Sequence, residues 1–398
     1  MFIRIFELPL KKLGEIMKYM DYAATTPPHP EVARTIAEVI NLHYGNPSSL
    51  HILGEQSEQL LKKAREVCAG ALQVKPSEII ITSGASESNN AAIKGAALQF
   101  MNRGKHLITT AIEHPSVYEC CKQLEGLGWD VTYLPVGHEG TVTAEQVCTA
   151  VQDDTVLVSI MHVNNETGSI NPVEEIGKQL KKQHPRVLFH VDGVQGFGRL
   201  PLSLQASGID MYSLSAHKFR GPKGIGLLYV REGIKLQPLL AGGSQEGGRR
   251  AGTENIPYIV GMAKALRLAK EEQAQVSERL RHLRKILIDG IAAIPKLVLN
   301  SPSDGAPHII HFSCPGMKAE AMLHMLEEDG FLVSTRSACS SKKAEPSRIL
   351  LAMGKSIEEA SSGIRVSLGA EHTEQDIEQF LVALQSAVTR QEDLKGRG

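Results

Sequence analysis

Between about residues 55 and 230, helical patterns alternate with short apolar runs: EIIITSG, HLITTAI, DVTYLPV, TVLVSIMHV, RVLFHVDGVQ, MYSLSAHK and GIGLLYV. Several of these runs are apolar without strict alternation, the pattern of strands covered on both faces by helices. The sequence therefore predicts an α/β fold on a mainly parallel, doubly wound sheet. Ligands of such sheets bind beyond the strand C-termini. The polar clusters SGASESNN, EHPS, NNETG, DGVQ and SAHK each follow one of the runs, so five loops are expected to meet at one crevice.

The pattern changes after the Gly-rich loop AGGSQEGGRRAGTEN. A long helix over about 257–291 reads as a bridge, followed by the apolar run HIIHFSC, a helix over 318–329, strand-like FLVST, the loop SACSSKKAEPS, the strand GIRVSLG and a helix from about 373. This is a second, smaller α/β domain. The division is an extension over 1–16, a large domain over 17–256 with part of its N-terminal segment packing on the small domain, and the small domain over 257–398. The extension, MFIRIFELPLKKLGEI, is interrupted by Arg4 and Glu7 and lacks a cleavage site, so it reads as neither signal peptide nor membrane span. No later run reaches the roughly 18 apolar residues of a membrane helix.

Charge and cysteine content narrow the setting. With 43 basic and 44 acidic residues and no long run of one sign, nothing draws the surface to nucleic acid or anionic lipid. Six cysteines without CxxC pairs suggest reduced thiols and a cytoplasmic protein rather than a zinc or disulfide framework.

Four motifs carry chemistry. In SLSAHKFRGPKG, Lys218 follows Ser215 and His217 at a strand end; a lysine there can form a Schiff base with an aldehyde cofactor, although a lysine before a turn is more often a solvated charge. In HVDGVQ, Asp192 suits the ring nitrogen of a pyridoxal phosphate, which needs an acidic partner to stay an electron sink; taken alone, it reads better as a strand-end cap of the next loop. In TSGASESNN, Gly84, Ala85 and Ser86 form a small-residue turn before a helix, whose free N–H groups and dipole bind phosphate, or else an ordinary N-cap. His114 in EHPS offers a flat imidazole able to stack on a pyridine ring and move protons.

The order of these elements, with DYAATTP, GNPSSLH, HVNNETG, RRAGTEN, SACSS and GIRVSLG in register, resembles the cysteine desulfurases of the class V aminotransferase superfamily over nearly the whole chain. The resemblance implies fold type I of the pyridoxal-phosphate transferases, a large domain with a mainly parallel sheet and a smaller α/β domain. It implies that Lys218 binds pyridoxal 5'-phosphate, Asp192 pairs with its ring nitrogen, Gln195 with its ring hydroxyl, and His114 stacks as acid/base. Ala85, Ser86, Ser215 and His217 would hold the phosphate. Thr253 would reach the phosphate of a neighbouring subunit, which implies a homodimer. Asn165, near the cofactor, and Arg365 would receive the carboxylate of L-cysteine.

Cys339, on a loop of the longer kind in this family, would take the sulfur as a persulfide and pass it to an acceptor protein, leaving L-alanine. Two positions depart from the family: Arg336 stands where Gly is usual and Ser86 where Thr is usual. Ser86 keeps the hydroxyl, whereas Arg336 puts a charge beside the nucleophile. Other readings are a selenocysteine lyase or another pyridoxal-phosphate lyase, and a non-catalytic sulfur carrier or scaffold. A metal hydrolase using His114, His190 and Asp192 lacks ligand spacing.

Overall fold

The computed structural model describes residues 17–335 and 345–396. After strand β1 (Lys18–Tyr19) come helices α1 (Pro30–Leu42) and α2 (Ile52–Leu72). The βα alternation follows: β2 (Ile79–Thr82), α3 (Ala85–Phe100), β3 (His106–Thr110), α4 (Pro115–Glu125), β4 (Asp130–Leu134), α5 (Ala144–Thr149), β5 (Thr155–Met161), α6 (Val173–Gln183), β6 (Leu188–Asp192), β7 (Met211–Ser215) and β8 (Gly226–Val230). All seven apolar runs of the sequence are strands of one sheet in the order β2-β8-β7-β6-β5-β3-β4. The sheet is parallel except for β8, which runs antiparallel to both neighbours.

Strand side chains alternate between two apolar layers, which is why the runs show no polar face. Ile79, Ile81, Phe189, Val191, Leu214 and Leu227 pack in one layer, with α2, α6 and α7 (Ile256–Glu271). Ile80, Leu107, Leu157, Leu188, Met211 and Leu228 pack in the other, under α3 and α4. Both faces are covered, and the functional loops gather at the strand C-termini.

The helix expected over 257–291 is two helices. α7 ends before Glu272, and α8 (Gln273–Ala293) starts a second core. The apolar face of α7 belongs to the large-sheet layer, whereas Leu280, Leu283, Leu287 and Ile291 of α8 pack in a second core, so the two helices meet different cores on either side of Glu272.

The second core is built by α8, β9 (Val298–Leu299), β10 (Ile309–Ser313), α9 (Ala319–Glu328), β11 (Phe331–Leu332), β12 (Gly363–Ser367) and α12 (Glu374–Gly396), whereas α10 (Arg348–Ala352) and α11 (Ile357–Ser361) pack with Ile112 and Met161 of the large domain. β10 lies antiparallel between β12 and β9. FLVST contributes the two-residue β11, which pairs in parallel with β1, while Ser334 forms a single antiparallel bridge to Arg365 of β12 and Met20 enters the same core. Among the described residues no helix is long and apolar enough to cross a membrane.

Candidate active site

A cavity of about 530 Å³ opens at the C-terminal ends of β2, β3, β5, β6 and β7. It is lined by Ala85, Ser86, His114, Asn165, Asp192, Gln195, Ser215, His217, Lys218 and Arg365, together with Ala23 and Ala24 from the N-terminal segment. Residues spread over more than three hundred positions meet there because each stands just after a parallel strand or at the facing edge of the small sheet.

The Gly84 turn forms one wall. Gly84 has φ of 150° and precedes α3, whose first turn has no side-chain cap, so its N–H groups have no helical carbonyl to reach. A Cβ on Gly226 would stand 2.7 Å from Gly84 Cα, so β8 packs backbone to backbone against this turn. Ser215 Oγ lies 3.5 Å from where a Gly84 Cβ would stand. An uncapped helix start with hydroxyls beside it has the chemistry of a phosphate site.

Asp192 closes β6, buried between β5 and β7. Burial raises its pKa; the N–H of Val194 at 3.1 Å, the Asn89 amide at 2.8 Å and the charge of Lys218 act against that rise. On β7's far side the chain turns through Ala216–Lys218, and the Lys218 ammonium donates to the carbonyls of Ala23 and Ala24. His217 Nδ1 lies 3.1 Å from Thr25 Oγ1; burial, then Lys218 and Lys223, push its pKa down to about 4.

Pro115 at the first helical position makes His114 the N-cap of α4. Its Nδ1 accepts from Ser116 N at 3.1 Å. Burial, then the charges of Lys218 and Arg348, depress its pKa to about 4, so the ring is neutral at neutral pH. Gln195 donates to Ala23 O at 2.9 Å and faces His308 Nε2 at 3.2 Å.

At the small-sheet edge, Arg365 is 1% exposed and gives Nη1 to Asn165 O at 2.8 Å and Nη2 to Asp21 Oδ1 at 2.7 Å. Among the described residues, its Nε and Asn165 Oδ1 are buried without a partner. Buried polar atoms are nearly always satisfied, so these two suit a polar ligand group, and the whole set fits pyridoxal phosphate with an amino acid carboxylate.

One expected residue lies elsewhere. Thr253 is exposed and borders a separate cavity of about 200 Å³, which shares Ser83 and Gly224 with the main one. Cys339 and Arg336 lie outside the described residues.

Several contributors are not among the residues singled out from the sequence. Asn89 bridges Asp192 and Ser116, Asp21 holds Arg365, and Arg348 donates to Ala111 O and, at 2.6 Å, to Glu113 O while covering the Tyr118 ring at 4.0 Å. Asn89 alone had a local signal: it follows Ala85 by four residues and so lies on the cavity face of α3.

Comparison with known proteins gives a consistent result. The family model described as aminotransferase class-V matches residues 18–380. The chain is 44% identical over 374 residues to the cysteine desulfurase IscS of Dictyoglomus turgidum, covering 94% of each. It is 41% identical over 382 residues to the cysteine desulfurase IscS of Escherichia coli, again over 94% of each. A solved NifS-like protein superposes with a TM-score of 0.88 at 38% identity, covering 94% of this chain and 99% of that one. A structure of SspA in complex with cysteine superposes with a TM-score of 0.78 at 37% identity, covering 89% of this chain and all of that one.

Proposed function

Because the chain belongs to the aminotransferase class-V family, we propose that it is a pyridoxal-phosphate-dependent cysteine desulfurase, which converts L-cysteine to L-alanine and passes the sulfur to an acceptor protein. The observation that carries this reading is the convergence of Lys218, Asp192, His114 and the Gly84 turn on one cavity, with Arg365 and its unpaired Nε at the rim.

Lys218 is the residue that would hold the cofactor aldehyde, and its amine moves the proton at the substrate α-carbon. The Asp192 carboxylate would keep a proton on the ring nitrogen, Gln195 would offer its amide to the ring hydroxyl, and His114 would stack on the ring. The phosphate falls to the N–H groups of Ala85 and Ser86 and to the side chains of Ser86, Ser215 and His217. Bound there, pyridoxal phosphate supplies the electron sink that weakens bonds around the substrate α-carbon. Arg365 and Asn165 orient the substrate through its carboxylate.

The thiolate of Cys339 then attacks the substrate sulfur. A sulfur–sulfur bond forms and the carbon–sulfur bond breaks, its electron pair staying with carbon. That carbon takes up a proton and leaves as L-alanine, while Cys339 keeps the sulfur as a persulfide.

Two copies share their sites in this reading. Ile40, Leu42, Tyr44, Leu50 and Ile52 form an exposed apolar stretch, with Leu50 96% exposed, that suits a second copy of the chain. Thr253, exposed in the single chain, would reach across such an interface to the partner's phosphate.

The test is alanine formation from L-cysteine with a thiol reductant. Lys218→Ala should lose the cofactor absorbance and all activity, whereas Cys339→Ser should keep the absorbance and lose desulfuration. Retained turnover in Cys339→Ser would instead mark a lyase that needs no enzyme thiol.

A further inference from the structure

Asn89 stands one turn into α3, fully buried, with its amide nitrogen 2.8 Å from Asp192 Oδ2 and 2.8 Å from Ser116 Oγ. A carboxylate only accepts, so the amide must turn its nitrogen to Asp192. Both amide hydrogens are then spent, one on Asp192 and one on Ser116. Among the described residues Asn89 Oδ1 is left buried without a partner, a cost that an apolar side chain of the same size would avoid.

Beyond Ser116 the direction of donation is also fixed. Ser116 N donates to His114 Nδ1 at 3.1 Å, and a backbone N–H cannot accept. Nδ1 therefore carries a lone pair. Ser116 Oγ, which accepts from Asn89, has its own hydrogen to give to the same Nδ1 at 2.8 Å. The proton of the neutral ring is left on Nε2.

We propose that Asn89 is a positioning residue that ties Asp192 to His114 through Ser116, holding Asp192 as the carboxylate and His114 as the neutral ring with its proton on Nε2. The two groups on which the cofactor reading depends thus form one hydrogen-bonded unit, in which every bond from Asn89 runs outward. Adding a proton at Nδ1 would set it against the Ser116 N–H. Other charged or titratable groups bear on the pair: Lys218 and Arg348 on His114, and Lys218, Glu113 and Tyr212 on Asp192. None of these donates to Asp192 in place of Asn89.

The inference rests on the cofactor reading, so its test reads cofactor uptake rather than turnover. Apo-protein is titrated with pyridoxal phosphate from acid to alkaline pH, following the absorbance, and apo forms are melted to verify folding. Asn89→Leu, close in volume, should bind about tenfold or more weakly, as expected for a lost hydrogen bond to a charge, with the deficit widening as pH falls and Asp192 takes up a proton. Asn89→Ala should show the same pH-dependent deficit, and it decides the matter if the leucine variant does not fold.

Ser116→Ala should weaken binding less, and its loss combined with that of Asn89→Leu should be clearly less than additive, because Asn89 acts on His114 through Ser116. Binding by the Asn89 variants as tight as in the wild type, a deficit equal at every pH, or additive losses would overturn the proposal. Failure of the wild type itself to take up pyridoxal phosphate would instead sink the cofactor reading.

Discussion

Asp21 and Arg365 form an ion pair at 2.7 Å in which the guanidinium is 1% exposed and the carboxylate 18%. The two residues sit 344 positions apart, on the N-terminal segment and on β12. Removing one member of a buried pair leaves the other uncompensated, which costs more than the pair contributes. Asp21→Ala should therefore lower stability by about 3 kcal/mol. Urea denaturation should find the double variant Asp21→Ala, Arg365→Met less destabilised than Asp21→Ala alone.

Arg348 grips the backbone that leads into His114. It donates to Ala111 O and Glu113 O, and its neighbour Ser347 gives its hydroxyl to Glu166 Oε2 at 2.7 Å, beside Asn165. Arg348→Met should lower kcat about tenfold, or about 1.4 kcal/mol, with little change in KM. Burial, then Lys218 and Arg348, hold the His114 pKa near 4, so removing one of these charges raises it. The acid limb of the pH–rate profile should move upward in the variant.

Glu113 is buried, and burial pushes its pKa up to about 8, against bonds from Thr110 Oγ1 and Met161 N. A carboxyl with a folded pKa above its unfolded value contributes stability that is complete below the unfolded pKa, near 4.5, and lost as pH rises through about 8. Glu113→Gln keeps an oxygen for both donors and does not titrate. Its stability relative to the wild type should rise with pH across that window, as read from urea midpoints at acid and alkaline pH.

Thr253 offers a test of shared sites. Because its side chain is exposed in the single chain, Thr253→Ala should leave apo-protein melting unchanged while weakening cofactor binding about tenfold, the worth of one bond to a phosphate. Lys218→Ala should be inactive alone. Mixed dimers of the two variants hold one site with both Lys218 and Thr253 intact, and they should combine activity, which Lys218→Ala lacks, with wild-type cofactor affinity, which Thr253→Ala lacks.

The sheet and the position of the cavity were legible because both follow from local signals. Seven apolar runs ended in polar clusters, and a parallel sheet puts strand ends on one edge. Lys218, Asp192 and His114 could be read from their own loops. The contacts that hold them could not: Asn89 to Asp192 spans 103 residues and Arg348 to Ala111 spans 237, and no residue pattern along the chain encodes a side chain's reach across space.

The break at Glu272 was hidden for another reason. α7 and α8 carry one continuous helical periodicity, and the change lies in which core each face meets. FLVST has the composition of a sheet strand, but it is split: Phe331 and Leu332 pair with the first strand of the chain, and Ser334 makes a single bridge to Arg365 of β12.

That last pairing governs how the chain is assembled. Lys18 aligns with Phe331 and Tyr19 with Leu332, and Asp21 bridges to Ser367. On a ribosome the N-terminal segment emerges first, yet its partners emerge some three hundred residues later. Ala23 and Ala24, the carbonyls that receive the Lys218 ammonium, belong to this same segment. The cavity is therefore finished only after the C-terminal third has been made, and a nascent chain stalled before β11 would have its large sheet but no completed site.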